Sequence, residues 1–367
     1  MIYNDIRRKT REIRVGAVTI GGNSKISIQS MTNTDTKNAA ATLEQTKKLA
    51  LAGCDIVRIT VPDEEAAETI RIIKESGIRT PLVADIHFDY RAALKAAEYG
   101  VDKIRINPGN IGDEERVRAV VKACKEKNIP IRIGVNSGSV EKHILAKHGA
   151  PTPEALCESA LYHASILERF DFYDTALSIK SSDVSTMIAA NRLVAERCDY
   201  PIHIGVTEAG DEKRGAIKSA IGIGSLLCDG IGDTLRVSLT ADPVAEISAA
   251  KDLLSALNIK GQSGMNVVSC PTCGRTKIDL IALSARFRDA IEKEGLADIP
   301  ITVALMGCIV NGPGEAHEAD LGIAGGKGEA LLFARGQAIG KIKEDEIIPT
   351  LIKEIKKIQR ERYLING

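Results

Sequence analysis

Short apolar runs at 26–31, 56–61, 82–87, 103–107, 131–136, 176–180, 202–207 and 233–239 each lead into a stretch with helical periodicity. Those stretches are 42–52, 64–76, 90–99, 114–127, 153–170, 184–198, 214–228 and 243–257. Strands separated by helices return in the same direction, so they pair in parallel. Eight such units over about 230 residues is the count and size of a (β/α)8 barrel. A doubly wound open sheet is the alternative, but no Gly-x-Gly-x-x-Gly follows the first run.

An alternating segment at 13–22 precedes the first unit and reads as a hairpin. Gly53-Cys54-Asp55-Ile56-Val57-Arg58-Ile59 is echoed by Gly100-Val101-Asp102-Lys103-Ile104-Arg105-Ile106, and Asp233-Thr234-Leu235-Arg236-Val237 repeats its Asp-x-x-Arg core. The aspartates precede their strands, at the bottom of a barrel, where a stabilising role outweighs a catalytic one. Residues 257–265 lack periodicity and carry linker residues. The boundary is placed there: 1–258 forms a barrel domain, and 259–367 a smaller α+β domain. In the latter, strands are expected at 301–305, 320–323 and 329–333, with helices at 279–294 and 347–362.

Side chains alternate along a strand, so Arg58, Arg105, Arg132 and Arg236 point into the barrel while their apolar neighbours face the helices. The same period brings Asn107, Asn136 and Ser238 to the inner face one step nearer the C-terminal rim. Lys180, Asp85, His87 and Glu208 end neighbouring strands. Converging cations need partners, because uncompensated buried charge costs several kcal/mol. Internal salt bridges to Asp85, Glu208 and Asp233 would serve, and so would a polyanionic ligand, since guanidinium forks match phosphate oxygens. The local surplus of cations favours a phosphorylated small molecule, with Glu208 as the general acid/base and His87 as a further substrate contact.

Lysine plus arginine (49) balances aspartate plus glutamate (49), and aromatics are only 3%, which argues against nucleic acid. No apolar run approaches membrane-spanning length and the N-terminus has no signal-peptide core, so a cytoplasmic, reducing location is expected. Cys54, Cys124, Cys157, Cys198 and Cys228 are scattered and read as small buried hydrophobes. By contrast, Cys270-Pro271-Thr272-Cys273 and Cys308 lie in Gly/Pro-rich turns, with Glu315 just past the third cysteine. Zinc, an iron–sulfur cluster and a redox dithiol all remain open on this spacing. Three sulfurs and an oxygen ligand would leave one metal with an exchangeable position.

Gly-Cys-Ile-Val-Asn-Gly-Pro-Gly-Glu, Cys-Pro-Thr-Cys-Gly-Arg, Val-Arg-Ile-Thr-Val-Pro, Asp-Ile-His-Phe, Arg-Ile-Asn-Pro-Gly-Asn, Arg-Ile-Gly-Val-Asn-Ser-Gly-Ser and His-Ile-Gly-Val-Thr-Glu-Ala-Gly together resemble the bacterial 4-hydroxy-3-methylbut-2-enyl diphosphate synthases of the methylerythritol phosphate route to isoprenoids. The resemblance implies two-electron reductive ring opening and dehydroxylation of 2-C-methyl-D-erythritol 2,4-cyclodiphosphate. It also implies a 4Fe–4S cluster on Cys270, Cys273, Cys308 and Glu315, with the glutamate yielding its iron to substrate. Arg58, Arg105, Arg132, Lys180 and Ser238 fall on diphosphate-binding positions, with Asn136 and Arg236 beside them, and Glu208 on the acid/base position. Flavodoxin or ferredoxin would supply electrons, and a head-to-tail homodimer would bring each cluster domain over its partner's barrel, with a hinge at 261–264. The competing expectation is a barrel lyase or transferase carrying a structural zinc module.

Overall fold

The computed structural model describes residues 5–259, 264–310, 314 and 317–366. Glu315, the Asn311-Gly312-Pro313 part of its motif and hinge residues 261–263 lie outside the described residues. The chain folds as two compact units, Met1–Leu253 and Leu254–Gly367.

The first unit opens with an antiparallel hairpin, β1 (Ile13–Val15) and β2 (Val18–Ile20). Then come the parallel strands β3 (Ser27–Met31), β4 (Ile56–Thr60), β5 (Leu82–Asp85), β6 (Lys103–Ile106), β7 (Ile131–Asn136), β8 (Thr175–Lys180), β9 (His203–Ile204) and β10 (Thr234–Leu235). They pair in the order β8-β7-β6-β5-β4-β3-β10-β9, and a bridge from Leu177 to Ile202 spans the gap between β8 and β9. This is the expected barrel. Ile13, Val15 and Ile20 of the hairpin pack on the inward-facing Ile56, Val83 and Ala176, so the hairpin plugs the bottom of the barrel.

Helices start where the sequence supplies caps. Asp63, Asp113, Asp183 and Asp211 each accept a hydrogen bond from the backbone N–H three residues on. The helix Glu64–Glu75 then buries Ala66, Ala67, Ile70 and Ile73, the spacing of a single face.

The repeated aspartates act together as one stabilising device. Asp55 accepts from the Ile28 N–H (2.8 Å), Asp102 from the Leu82 N–H (2.8 Å) and Asp233 from the Ile202 N–H (2.9 Å). Each ties the start of its own strand to the neighbouring strand, at a point where the ladder would otherwise leave a donor unpaired. Lys74 adds a salt bridge to Asp102 at 2.8 Å. Asp102→Ala is expected to cost about 1–3 kcal/mol. Thermal unfolding checks this, and an unchanged melting temperature would refute the role.

In the second unit, β11 (Asn266–Ser269), β12 (Thr302–Met306) and β13 (Leu321–Gly325) run parallel, followed by antiparallel β14 (Glu329–Ala334) and β15 (Gln337–Lys343). Leu283, Phe287 and Ile291 of the helix Leu280–Lys293 pack with Leu351, Ile355 and Ile358 of the helix Ile347–Asn366 on Val303, Leu305 and Ile323 of the sheet. The sequence reading missed β11 and β15. Both are edge strands with mostly exposed side chains, so neither carries apolar alternation.

Candidate active site

The register of the barrel sets the inner face. Asp85 lies level with Arg105, Arg105 with Arg132, and Asn136 with Lys180. Asp85 is wholly buried; it accepts from Arg58 Nη2 at 2.5 Å and pairs with Arg105 Nη1 at 3.2 Å. Burial alone would raise its pKa, but Arg58 and Arg105 prevail and hold the carboxyl below the usual carboxylate range. His87 Nε2 stands 3.7 Å from the same carboxylate. Arg105 lies flat against β7, where a Cβ on Gly134 would stand 2.3 Å from its Nε. Glycine at 134 is what lets that guanidinium fit.

Arg132 is 1% exposed, and its described contact is from Nη1 to Gln29 Oε1 at 3.3 Å. Its Nε has no hydrogen-bond partner. Burial, followed by repulsion from Arg58 and Arg105, pushes this guanidinium well below its ordinary pKa. Lys180 is pushed the same way, by burial and then by Arg236 and Arg58. Arg236 is neutralised: Glu246 binds it through both oxygens, at 3.0 and 2.9 Å. The Asn107 Oδ1 caps the turn Pro108–Ile111, leaving its Nδ2 buried without a partner. Asn136 and Ser238 are half-buried at the same rim.

Against Arg58, Arg105, Arg132, Lys180 and Arg236 stand the carboxylates of Asp85 and Glu246. Two of the expected internal pairings are not formed. Asp233 bonds to Arg7, Thr10 and the Ile202 N–H rather than to a barrel arginine, because it sits at the bottom of its strand. Glu208 is exposed on the loop that follows β9 and makes no salt bridge among the described residues. Its backbone has φ +52°, a left-handed conformation that non-glycine residues seldom adopt. The mouth therefore holds more buried positive charge than its own acids neutralise.

Sequence reasoning overlooked Lys103, Gln29 and Glu246, and gave His203 no role. Lys103 is fully buried with no partner for Nζ, and the signal was present: it precedes Arg105 by two, on the same inner face. His203 is buried among Arg132, Lys180 and Lys103, and burial and those cations push it well below its ordinary pKa, keeping the imidazole neutral.

In the second unit, Cys270 and Cys308 follow β11 and β12, which pair Ser269 with Leu305, so the two loops leave neighbouring strand ends. Cys270 Sγ accepts from the Gly307 N–H at 3.3 Å. The Arg275 backbone N–H and guanidinium lower the Cys273 thiol below its ordinary pKa, and Cys308 also acts on Arg275. Among the described residues, no group of three or more His, Cys, Asp and Glu side chains is arranged to hold a single metal ion. Hydrogen-bond donors aimed at thiolate sulfurs, as here at Cys270 and Cys273, suit an iron–sulfur group. Of the other cysteines, Cys54, Cys124 and Cys157 are buried as expected, Cys198 is half-buried, and Cys228 is exposed.

Two family models match the chain: the GcpE TIM-barrel domain over residues 10–251, and the GcpE protein C-terminal domain over 266–357. The chain is 58% identical over 352 residues to the 4-hydroxy-3-methylbut-2-en-1-yl diphosphate synthase (flavodoxin) of Clostridium perfringens, covering 96% of this chain and 99% of that one. The enzyme of the same name from Maridesulfovibrio salexigens is 55% identical, over 97% and 98% of the two chains. That of Geobacter sulfurreducens is 54% identical, over 98% and 100%. With both units matched, and identity above half along nearly its whole length, the chain belongs to the GcpE family of 4-hydroxy-3-methylbut-2-en-1-yl diphosphate synthases.

Proposed function

We propose that the barrel mouth binds 2-C-methyl-D-erythritol 2,4-cyclodiphosphate and that the cysteine loops hold the 4Fe–4S cluster that makes its reduction possible. The chain is an oxidoreductase of isoprenoid precursor biosynthesis that forms (E)-4-hydroxy-3-methylbut-2-enyl diphosphate. Two electrons and two protons enter, the cyclic diphosphate opens, and one hydroxyl leaves as water. The single observation that carries the binding site is the surplus of buried cations: among the described residues neither Arg132 nor Lys180 forms a salt bridge, and Asp85 and Glu246, which act on them from a distance, are already paired with Arg58, Arg105 and Arg236. A diphosphate supplies the missing negative charge in a form that guanidinium forks match.

Within this reading Arg58, Arg105, Arg132 and Lys180 hold the diphosphate, with Ser238, Asn107 and Asn136 donating at the rim. Asp85 orients Arg58 and Arg105 and sets His87 beside the substrate. Arg236, already paired with Glu246, shapes the site more than it neutralises charge. Cys270, Cys273, Cys308 and Glu315 would ligate the cluster, which when bound supplies single electrons and an iron whose oxygen ligand can exchange. Flavodoxin, which the names of the related enzymes carry, or ferredoxin would deliver those electrons. A head-to-tail homodimer in the cytoplasm is the assembly that would bring a cluster domain to a partner's barrel.

Anaerobic reconstitution with iron and sulfide tests the cofactor. A brown protein with about four irons per chain is expected, whereas one tightly held zinc without visible absorption would return the lyase-plus-zinc reading. Glu208, held in its strained turn, is the acid/base. Glu208→Gln should lower kcat by about 10²- to 10⁴-fold with KM nearly kept. Steady-state kinetics decides this, and an unchanged kcat would remove Glu208 from the mechanism.

A further inference from the structure

One buried titratable pair in the barrel takes no part in this chemistry. His163, on the helix Pro153–Glu168, is wholly buried, and its Nε2 makes a short hydrogen bond to Glu141 Oε1. Glu141 stands at the far end of the loop that begins at Asn136, at the N-cap position of the helix Lys142–His148, yet its side chain makes no capping bond. Burial raises the Glu141 carboxyl, but the hydrogen bond and charge of His163, together with Ser159, hold it below the usual carboxylate range.

Above the pair lies the turn that carries Asn107. A Cβ on Gly109 would stand 3.2 Å from Glu141 Oε1, 3.2 Å from His163 Cε1 and 3.3 Å from Asn107 Oδ1. The turn is thus seated directly on the Glu141–His163 pair. Asn107 Oδ1 accepts from the Gly109 N–H at 3.0 Å, which fixes the amide plane and leaves the buried Nδ2 unpartnered.

We infer that Glu141 and His163 form a positioning unit for the substrate-binding amides. The pair seats the Gly109 turn so that Asn107 Nδ2 is aimed at a substrate oxygen, and it tethers the loop running back to Asn136. His163 is wholly buried and the Glu141 side chain only 14% exposed, and an acid–imidazole pair held this far from solvent is a costly way to fix a loop unless its geometry is needed. Neither residue touches substrate. The inference rests on the barrel mouth being the substrate site.

A double-mutant cycle on the cluster-loaded enzyme tests it, reading the calorimetric Kd for the cyclic diphosphate alongside kcat and KM. His163→Phe, which keeps the volume but removes the donor, should raise Kd and KM about tenfold with kcat little changed. Asn107→Ala should lose a similar factor, and the two together should lose little more than either alone. His163→Gln, which can still donate to Glu141, should recover most of the affinity. If the Phe variant does not fold, Glu141→Gln takes its place in the cycle with the same expected sign. Fully additive losses, or an unchanged Kd in both the His163 and Glu141 variants, would overturn the positioning role. An unchanged Kd in Asn107→Ala would instead overturn the barrel-mouth reading, and the inference with it.

Discussion

Replacing Arg132 with methionine should weaken binding of the cyclic diphosphate by about 30- to 1,000-fold while the free protein melts at or above its parent's temperature. The two effects have opposite signs for one reason. Arg132 is buried among Arg58, Arg105 and Arg236 with no carboxylate of its own, so in the free protein it is a desolvated charge that methionine would relieve. In the proposed complex it would face the diphosphate, and removing it would leave phosphate oxygens buried without a donor. Titration calorimetry and thermal unfolding of the same variant separate these terms. A lowered melting temperature with unchanged affinity would mean that Arg132 serves the barrel, through Gln29, rather than the ligand.

Cys308→Ser should abolish both the visible absorption of the reconstituted protein and turnover, while leaving the fold in place. Cys308 is half-buried and belongs to neither hydrophobic cluster of the second unit, so serine in its place opens no cavity in the core. A serine oxygen is a poorer partner for iron than a thiolate at the third sulfur position. Iron content, absorption and far-UV circular dichroism together make the test. A full four-iron spectrum in the serine variant would exclude Cys308 as a ligand.

Most of this architecture was legible because apolar runs, helical periodicity and period-2 alternation are local signals. The arginine phrases of β4, β6 and β7 and the aspartates before β4, β6 and β10 could be read directly. Lys103 was equally legible on the same period and was passed over. Glu246 was not: an acid in the first turn of a helix looks like ordinary dipole complementation. Only the approach of the Pro243–Ala256 helix to Arg236 gives it a role. The exposed edge strands β11 and β15 carried no apolar pattern, and β9 and β10 shrink to two residues each where the ladder gives way to loops. Nothing in the sequence marks His163, because its partner, Glu141, is brought to it by a different loop.

A single anaerobic reaction tests the proposed chemistry: cluster-loaded protein, reduced flavodoxin and the cyclic diphosphate, followed by phosphorus NMR. The cyclic diphosphate signals should give way to those of a linear diphosphate monoester, with two electrons consumed per product. The same consumption should fail when Cys308 is serine. Intact cyclic diphosphate in the presence of a fully loaded, fully reduced cluster would contradict it.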